Sequence, residues 1–327
     1  MNDAPALAPP FAVTGHLFEY GFGADGALSS EPGKAAWTWR AYALTDMRAR
    51  RAIDKDDALP QAVRELLTGT NERPQFRVHD GWIFGVLPDE GHRHYSGNET
   101  SARLRFACDA KRLITARRQP LQCVDDMRER IESGTERCAK PFDFVCAITD
   151  ILVSHKVAAV RAMGDQLDSI EDRIVSDSWH GERERLAPLR RRIVAVQREI
   201  AALAAALHHH DIRAGDPALA EAAEALARLA PRADMLHHDG EQLMARARLL
   251  QEELMARIGE ESNRLLYMIS VLTAVLMPTT IVTGLFGMNL QGIPFASRPW
   301  GFAIAAGLSA TGAVAILALV RRLARTR

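Results

Sequence analysis

The tripeptide Gly287-Met288-Asn289 directly follows a long apolar stretch of the chain, Leu265–Phe286. Small divalent cations hold their hydration water tightly, and neutral amide and carbonyl oxygens can bind that water without stripping it. The side chain of Asn289 and the backbone carbonyl of Gly287 are oxygens of this kind. Their position beside an apolar segment predicts contact with a hydrated cation and no covalent chemistry.

Two histidine clusters offer more familiar metal ligands. They are His208-His209-His210-Asp211 and His237-His238-Asp239, and both contain residue types that bind zinc. If the helices fold back near Gly215, however, the second cluster lies about 10 Å or more from the first along the helix. We therefore expect two solvated polar surfaces within one subunit, and a contact between subunits stays open.

Charge is distributed very unevenly along the 327 residues. From Leu265 to Arg327 there is no Asp or Glu and there are five Arg, which leaves the first 264 residues with a net charge of −5. Within the C-terminal part, Leu265–Phe286 and Trp300–Val320 are free of charge, and each is long enough as a helix to cross the roughly 30 Å apolar core of a bilayer. The sequence therefore predicts a transmembrane helical hairpin, and the acidic body argues against nucleic-acid binding.

The arginines near the two spans predict their orientation. Arg257 and Arg264 precede the first span and four Arg follow the second, whereas the loop between the spans contains Arg298 alone. By the positive-inside rule both termini are cytoplasmic.

The chain has four cysteines, Cys108, Cys123, Cys138 and Cys146. Their spacing matches no zinc or redox motif, so we expect reduced thiols.

The cytoplasmic body is predicted to contain two parts. Up to residue 141, short apolar or alternating runs predict strands, helical stretches lie between them, and no phosphate loop, GxSxG or HExxH motif is present. Residues 142–264 read as long helices that are broken near Ser178–Gly181 and Arg213–Pro217. Leu236, Leu243 and Leu250 repeat every seven residues, a coiled-coil seam that predicts identical neighbouring helices.

The segment GLFGMNLQGIP, whose Gly-Met-Asn begins ten residues after Met277 of a Met-Pro step, resembles the CorA family of divalent-cation transport proteins. Within that family it resembles most closely the zinc-associated ZntB branch. The resemblance implies an α+β membrane protein assembled as a funnel-shaped homopentamer. The implied parts are a cytoplasmic α/β domain (1–141), a helical stalk (142–264), a pore-lining first span (265–286), an external loop (287–299), a second span (300–320) and a basic cytoplasmic tail (321–327).

The resemblance also implies which residues meet the ion. Gly287, Met288 and Asn289 would form the selective mouth, with Asn263 at the cytoplasmic end of the pore and Met277 at a mid-span gate. Helical spacing places a set of small, hydroxyl and apolar side chains on the same face: Asn263, Leu266, Ile269, Ser270, Thr273, Met277, Thr280 and Gly284. For the hydroxyls, hydrogen bonding back to the helix or to a neighbour is an equally good alternative.

Regulatory cation sites between cytoplasmic domains are also implied by the resemblance. Four carboxylates at helical spacing on the stalk could supply them: Asp165, Asp168, Glu171 and Asp172. The alternative is pairing of Asp168 and Glu171 with nearby arginines on an exposed helix.

The resulting prediction is a transporter of the inner membrane, with no enzyme activity and no cofactor. Its partners would be the lipid bilayer, a divalent cation, with Zn²⁺ favoured, and, through the ZntB likeness, a coupled proton. Two alternatives stay open: a Mg²⁺ or Co²⁺ channel of CorA type, and a membrane-anchored sensor or scaffold that transports nothing. The external loop lacks the acidic residues common in magnesium-type relatives, and no carboxylate or histidine lies within the spans to carry a proton.

Overall fold

The structure is a computed structural model, and it describes residues 16–29, 35–90, 101–208, 217–288 and 300–324. It contains two compact units, Met1–Arg248 and Leu249–Arg327. The strands are β1 (His16–Phe22), β2 (Trp37–Ala43), β3 (Gln75–His79), β4 (Trp82–Glu90), β5 (Ser101–Cys108) and β6 (Arg112–Arg117). The helices are α1 (Met47–Asp54), α2 (Gln61–Thr68), α3 (Gln122–Glu132), α4 (Pro141–Val175), α5 (Glu182–His208), α6 (Pro217–Phe286) and α7 (Gly301–Ala324).

The first unit is built on one six-stranded sheet in the order β1-β2-β6-β5-β4-β3. Neighbouring strands are antiparallel except β2 and β6, which pair in parallel from Thr38 opposite Arg112. The run Phe76–Leu87 forms a hairpin, because Asp80 and Gly81 adopt positive φ values of 50° and 76° between β3 and β4. A second turn follows Cys108, where the Asp109 carboxylate accepts hydrogen bonds from the backbone N–H groups of Lys111 and Arg112.

Helices cover both faces of the sheet. On one face α1 and α2 enclose a core of buried side chains that includes Trp82, Phe84 and Ile114. On the other face Phe144 of α4 packs against the ring of Trp39, with 4.4 Å between the ring centroids. This arrangement explains why the central strands read as apolar runs, since they are buried on both sides.

The heptad seam of α6 is buried within a single chain. Leu236, Leu243 and Ala247 are at most 6% exposed, and the Leu243 side chain lies close to Gly164 of α4. On the α5 side, Gln197 Nε2 contacts both Nδ1 and the backbone carbonyl of His237. The apolar stripe of the seam therefore packs against α4 and α5 of the same chain. The prediction that this seam joins identical neighbouring helices is wrong.

A buried ion pair joins α4, α5 and the sheet. The Lys156 side chain is 2% exposed and its Nζ donates to Glu199 Oε2 over 2.6 Å, while Arg103 Nη1 lies 3.5 Å from Glu199 Oε1. A charge this deeply buried is tolerated because an opposite charge is hydrogen-bonded to it. The pair therefore fixes where α5 lies against α4 and β5.

Removal of the Glu199 carboxylate is expected to destabilise the protein strongly. We expect Glu199→Ala to lower the free energy of unfolding by about 3–5 kcal/mol, because the buried ammonium group of Lys156 loses its 2.6 Å ion pair with this carboxylate. Denaturant unfolding of the full chain in detergent measures this change. Glu224→Ala is the matched control, since that carboxylate is 76% exposed beside Arg228 and its loss is expected to cost about 0.5 kcal/mol or less. Equal effects of the two substitutions would contradict the assignment.

Candidate functional site

The second unit consists of the C-terminal part of α6, from Leu249, together with α7. Both helices are long and apolar enough to cross a membrane. The predicted first span, Leu265–Phe286, forms the uninterrupted end of α6, and Gly287 N–H still donates to the Thr283 carbonyl over 2.8 Å. Gly287 and Met288 are exposed at this helix end. Asn289 and the predicted external loop lie outside the described residues.

The hairpin packs through small residues of α7 against one face of α6. The less exposed positions of α7 recur at helical spacing and include Gly301, Ala305, Ser309 and Gly312. A Cβ atom added to Gly312 would lie 2.7 Å from Cβ of Pro278 on α6. Small residues let the two backbones approach this closely in an apolar environment, where packing drives helix association. Sequence inspection missed this contact, although small residues four apart along α7 are its signal.

The face of α6 in contact with α7 is marked by lower exposure. Its positions are Val271, Ala274, Val275, Pro278, Val282 and Phe286. The residues predicted to line a pore are all exposed in the single chain: Asn263, Leu266, Ile269, Ser270, Thr273, Met277, Thr280 and Gly284. At roughly 100° per residue, the two sets are centred about half a turn apart on the helix. The predicted face is therefore left unpacked by the chain's own second span.

Hydroxyl groups on that open face are hydrogen-bonded to the helix itself. Ser270, Thr273 and Thr280 each donate to the carbonyl four residues earlier, over 2.8, 2.9 and 3.1 Å. This is the back-bonding that the sequence left as an alternative to a lining role. It anchors the hydroxyl oxygens at the helix surface, where they stay exposed.

The acidic residues of α4 are arranged around an arginine. Arg246 of α6 donates from Nη2 to Asp168 Oδ1 over 2.6 Å and to Glu171 Oε2 over 2.8 Å, and these hydrogen bonds raise the pKa of its guanidinium. Asp165 and Asp172 lie nearby on the same helix and are exposed. Across the described part of the chain, no group of three or more His, Cys, Asp or Glu side chains is placed to hold a metal ion.

The described histidines of the two clusters use their ring nitrogens for contacts within the chain. His208 Nε2 lies 2.9 Å from both carboxylate oxygens of Asp234, and His238 Nε2 lies 2.9 Å from Gln242 Nε2. His237 is occupied by Gln197, as described above. The other members of the first cluster, His209, His210 and Asp211, lie outside the described residues. Both clusters therefore contribute to the contact between α5 and α6.

The four cysteines are free thiols. Desolvation raises the pKa of Cys138 and of Cys146 to about 12 and raises the pKa of Cys108 and Cys123 well above the ordinary range. Because the thiolate is the form that binds metals and attacks electrophiles, these side chains are inert at neutral pH.

Comparison with known proteins places this architecture in a family. A sequence model described as CorA-like Mg²⁺ transporter protein matches residues 34–322. The chain belongs to the CorA family of divalent-cation transporters. Because the family consists of transporters, the prediction that this CorA-family protein is not an enzyme is confirmed.

The matches to individual relatives extend over most of this CorA-family protein. The zinc transport protein ZntB of Yersinia enterocolitica is 25% identical over 308 residues, which are 89% of this chain and 90% of that protein. The solved structure of full-length CmaX superposes with a TM-score of 0.78 at 23% identity, covering 96% of this chain and 99% of CmaX. The CorA magnesium transporter of Methanocaldococcus jannaschii gives 0.71 at 13% identity, over 88% and 91% of the two chains. These superpositions confirm the fold: an α/β domain, a long helix and two C-terminal apolar helices.

Proposed function

We propose that this protein conducts a divalent cation, preferentially Zn²⁺, through a homopentameric pore in the inner membrane, with both termini in the cytoplasm. In this proposal five copies of α6 surround the pore, and α7 lies on the lipid-facing side of each. The selective mouth is formed by Gly287, Met288 and Asn289 at the outer end of α6. The four α4 carboxylates remain candidates for a regulatory cation site only between copies, because Arg246 already neutralises two of them.

One observation carries this proposal: the open face of α6 lies about half a turn from the face that α7 covers. A helix in lipid needs no second surface of small and hydroxyl residues, since lipid tails pack as well against plain apolar side chains. The open face instead alternates Asn263, Ser270, Thr273 and Thr280 with apolar positions such as Met277. Neutral oxygens separated by apolar constrictions bind an ion weakly at several places, which lets it enter and leave.

The proposed preference of this protein for zinc is supported by its similarity to zinc transport proteins. ZntB of Yersinia enterocolitica is named as a zinc transport protein and matches along nine tenths of its length. A magnesium or cobalt channel is the second candidate, because the matching family model carries a Mg²⁺ description. A membrane-anchored scaffold would need the hairpin for attachment but would not need a polar open face on α6.

Metal uptake into sealed vesicles that contain only this protein tests the proposal. We expect radioactive zinc to enter faster than into empty vesicles, and unlabelled zinc to compete better than magnesium or cobalt. Repeating the assay with and without an imposed pH gradient shows whether protons are coupled to the flux. Better competition by magnesium would favour the channel of CorA type, and no uptake of any divalent cation would favour the scaffold.

A further inference from the structure

Three arginines converge on the segment between α2 and β3. Arg103 Nε donates to the Glu72 carbonyl over 2.8 Å, Arg105 Nη2 to the Asn71 carbonyl over 3.3 Å, and Arg118 Nη2 to the Gly69 carbonyl over 3.3 Å. Arg103 and Arg105 come from β5, and Arg118 follows β6. Cationic side chains that hold carbonyls beyond a helix C-terminus are favourable, so these contacts account for part of the cluster.

Arg105 is the member of this cluster whose hydrogen bonding is incomplete. The residue is 1% exposed, and its Nε has no hydrogen-bond partner among the residues that the structure describes. An unsatisfied buried donor is costly, and more so on a charged group. The N–H at Nε therefore has an unmet requirement for an acceptor.

The charge around Arg105 is also unbalanced. Burial lowers the pKa of its guanidinium, and the nearby cations Arg118, Arg103 and Arg50 lower it further, while Glu72 raises it. The Glu72 carboxylate is 52% exposed and lies 3.9 Å from Arg118 Nη1. Glu199 lies 3.5 Å from Arg103 Nη1, whereas the carboxylate beside Arg118 and the buried Arg105 is the half-exposed Glu72. A half-exposed carboxylate compensates a buried cation poorly.

We propose that the α2–β3 junction is a binding site for a small inorganic anion, held by Arg105 and Arg118. The anion accepts the hydrogen bond that Arg105 Nε offers and supplies the missing negative charge. Charge-assisted hydrogen bonds from guanidinium groups are the strongest that such a ligand can receive. Glu72 limits the affinity, because it competes for the same cations and repels the ligand.

Thermal unfolding of the full chain in detergent tests the site, with sodium bromide and sodium phosphate as separate probes. Ionic strength is kept constant with sodium gluconate, whose anion is bulky. We expect saturable stabilisation of the natural protein by at least one probe. Arg118→Gln should weaken the apparent affinity about tenfold, the loss of one strong charge-assisted contact, and Glu72→Gln should tighten it several-fold.

The two substitutions shift the affinity in opposite directions, which separates binding from a general loss of stability. Both positions are partly exposed, so neither variant depends on refolding a core. Arg183→Gln, on the exposed surface of α5, removes the same charge as Arg118→Gln and is expected to leave the affinity unchanged. The proposal requires both opposite shifts and an unchanged control. Any other pattern, including stabilisation that never saturates, overturns it.

Discussion

Replacement of Asn289 with alanine is expected to abolish metal flux while the oligomer stays assembled. In the proposed pore every copy contributes one Asn289 side-chain oxygen to the hydrated ion. Loss of a single hydrogen bond to a charged group costs about 1.5–3 kcal/mol, which corresponds to a factor of about ten or more in binding, and the substitution removes one from each subunit. Zinc uptake into vesicles measures the flux, and size-exclusion chromatography measures the assembly.

Gln291→Ala provides the matched control for Asn289→Ala. It removes another side-chain amide two residues later in the same loop. We expect it to retain most of the uptake, because the proposed selective mouth consists of Gly287, Met288 and Asn289. Full zinc uptake by the Asn289 variant would remove the selective mouth from the proposal, because the ion would then be selected without that side chain.

A methyl group added at Gly312 is expected to disturb the hairpin and reduce transport. The new Cβ would lie 2.7 Å from Cβ and 3.2 Å from Cγ of Pro278, and the proline ring cannot rotate away. Overpacking of this kind costs typically about 1–3 kcal/mol, and relief requires α7 or α6 to shift. Pro278 directly follows Met277, which lies on the proposed lining face, so a shift of Pro278 alters the proposed pore at mid-span. Zinc uptake into vesicles measures the effect of Gly312→Ala on transport, and thermal unfolding in detergent measures its effect on stability.

The same helix supplies the control. Gly307→Ala adds an identical methyl group to α7, but its Cβ has no atom within 4 Å among the described residues. We expect it to leave stability unchanged or slightly improved, since Ala replaces Gly in a helix interior. If Gly312→Ala and Gly307→Ala behave alike, close approach at Pro278 does not hold the hairpin together.

Local patterns were sufficient to predict most of the elements. The predicted span Leu265–Phe286 forms the end of α6, and most of the second predicted span lies in α7, because a span of that length and composition is stable only as a helix in lipid. The breaks at Ser178–Gly181 and before Pro217 separate α4, α5 and α6 as predicted. Helix α1 was missed, although Asp46 caps its N-terminus, because four of its eight residues are charged and leave few apolar positions to show a helical period.

Long-range contacts could not be read in the same way. Strands β2 and β6 pair in parallel. A period-two pattern identifies each run as a strand but does not indicate which strands pair. Arg246 is separated from Asp168 by 78 residues, so helical spacing identified the carboxylates but not their partner. Leu236 and Leu243 show the converse case: the heptad repeat correctly marked a packed stripe but could not say which helices pack against it.

The hydrogen bonds of Ser270, Thr273 and Thr280 determine what their oxygens can offer a passing ion. Each hydroxyl proton is already committed to a backbone carbonyl, so only lone pairs remain on the outward side. At these three positions the proposed pore can coordinate a cation or accept hydrogen bonds from its water shell, and the hydroxyls have no proton to offer a halide. Their orientation would therefore favour cations over anions there without a carboxylate in the lipid.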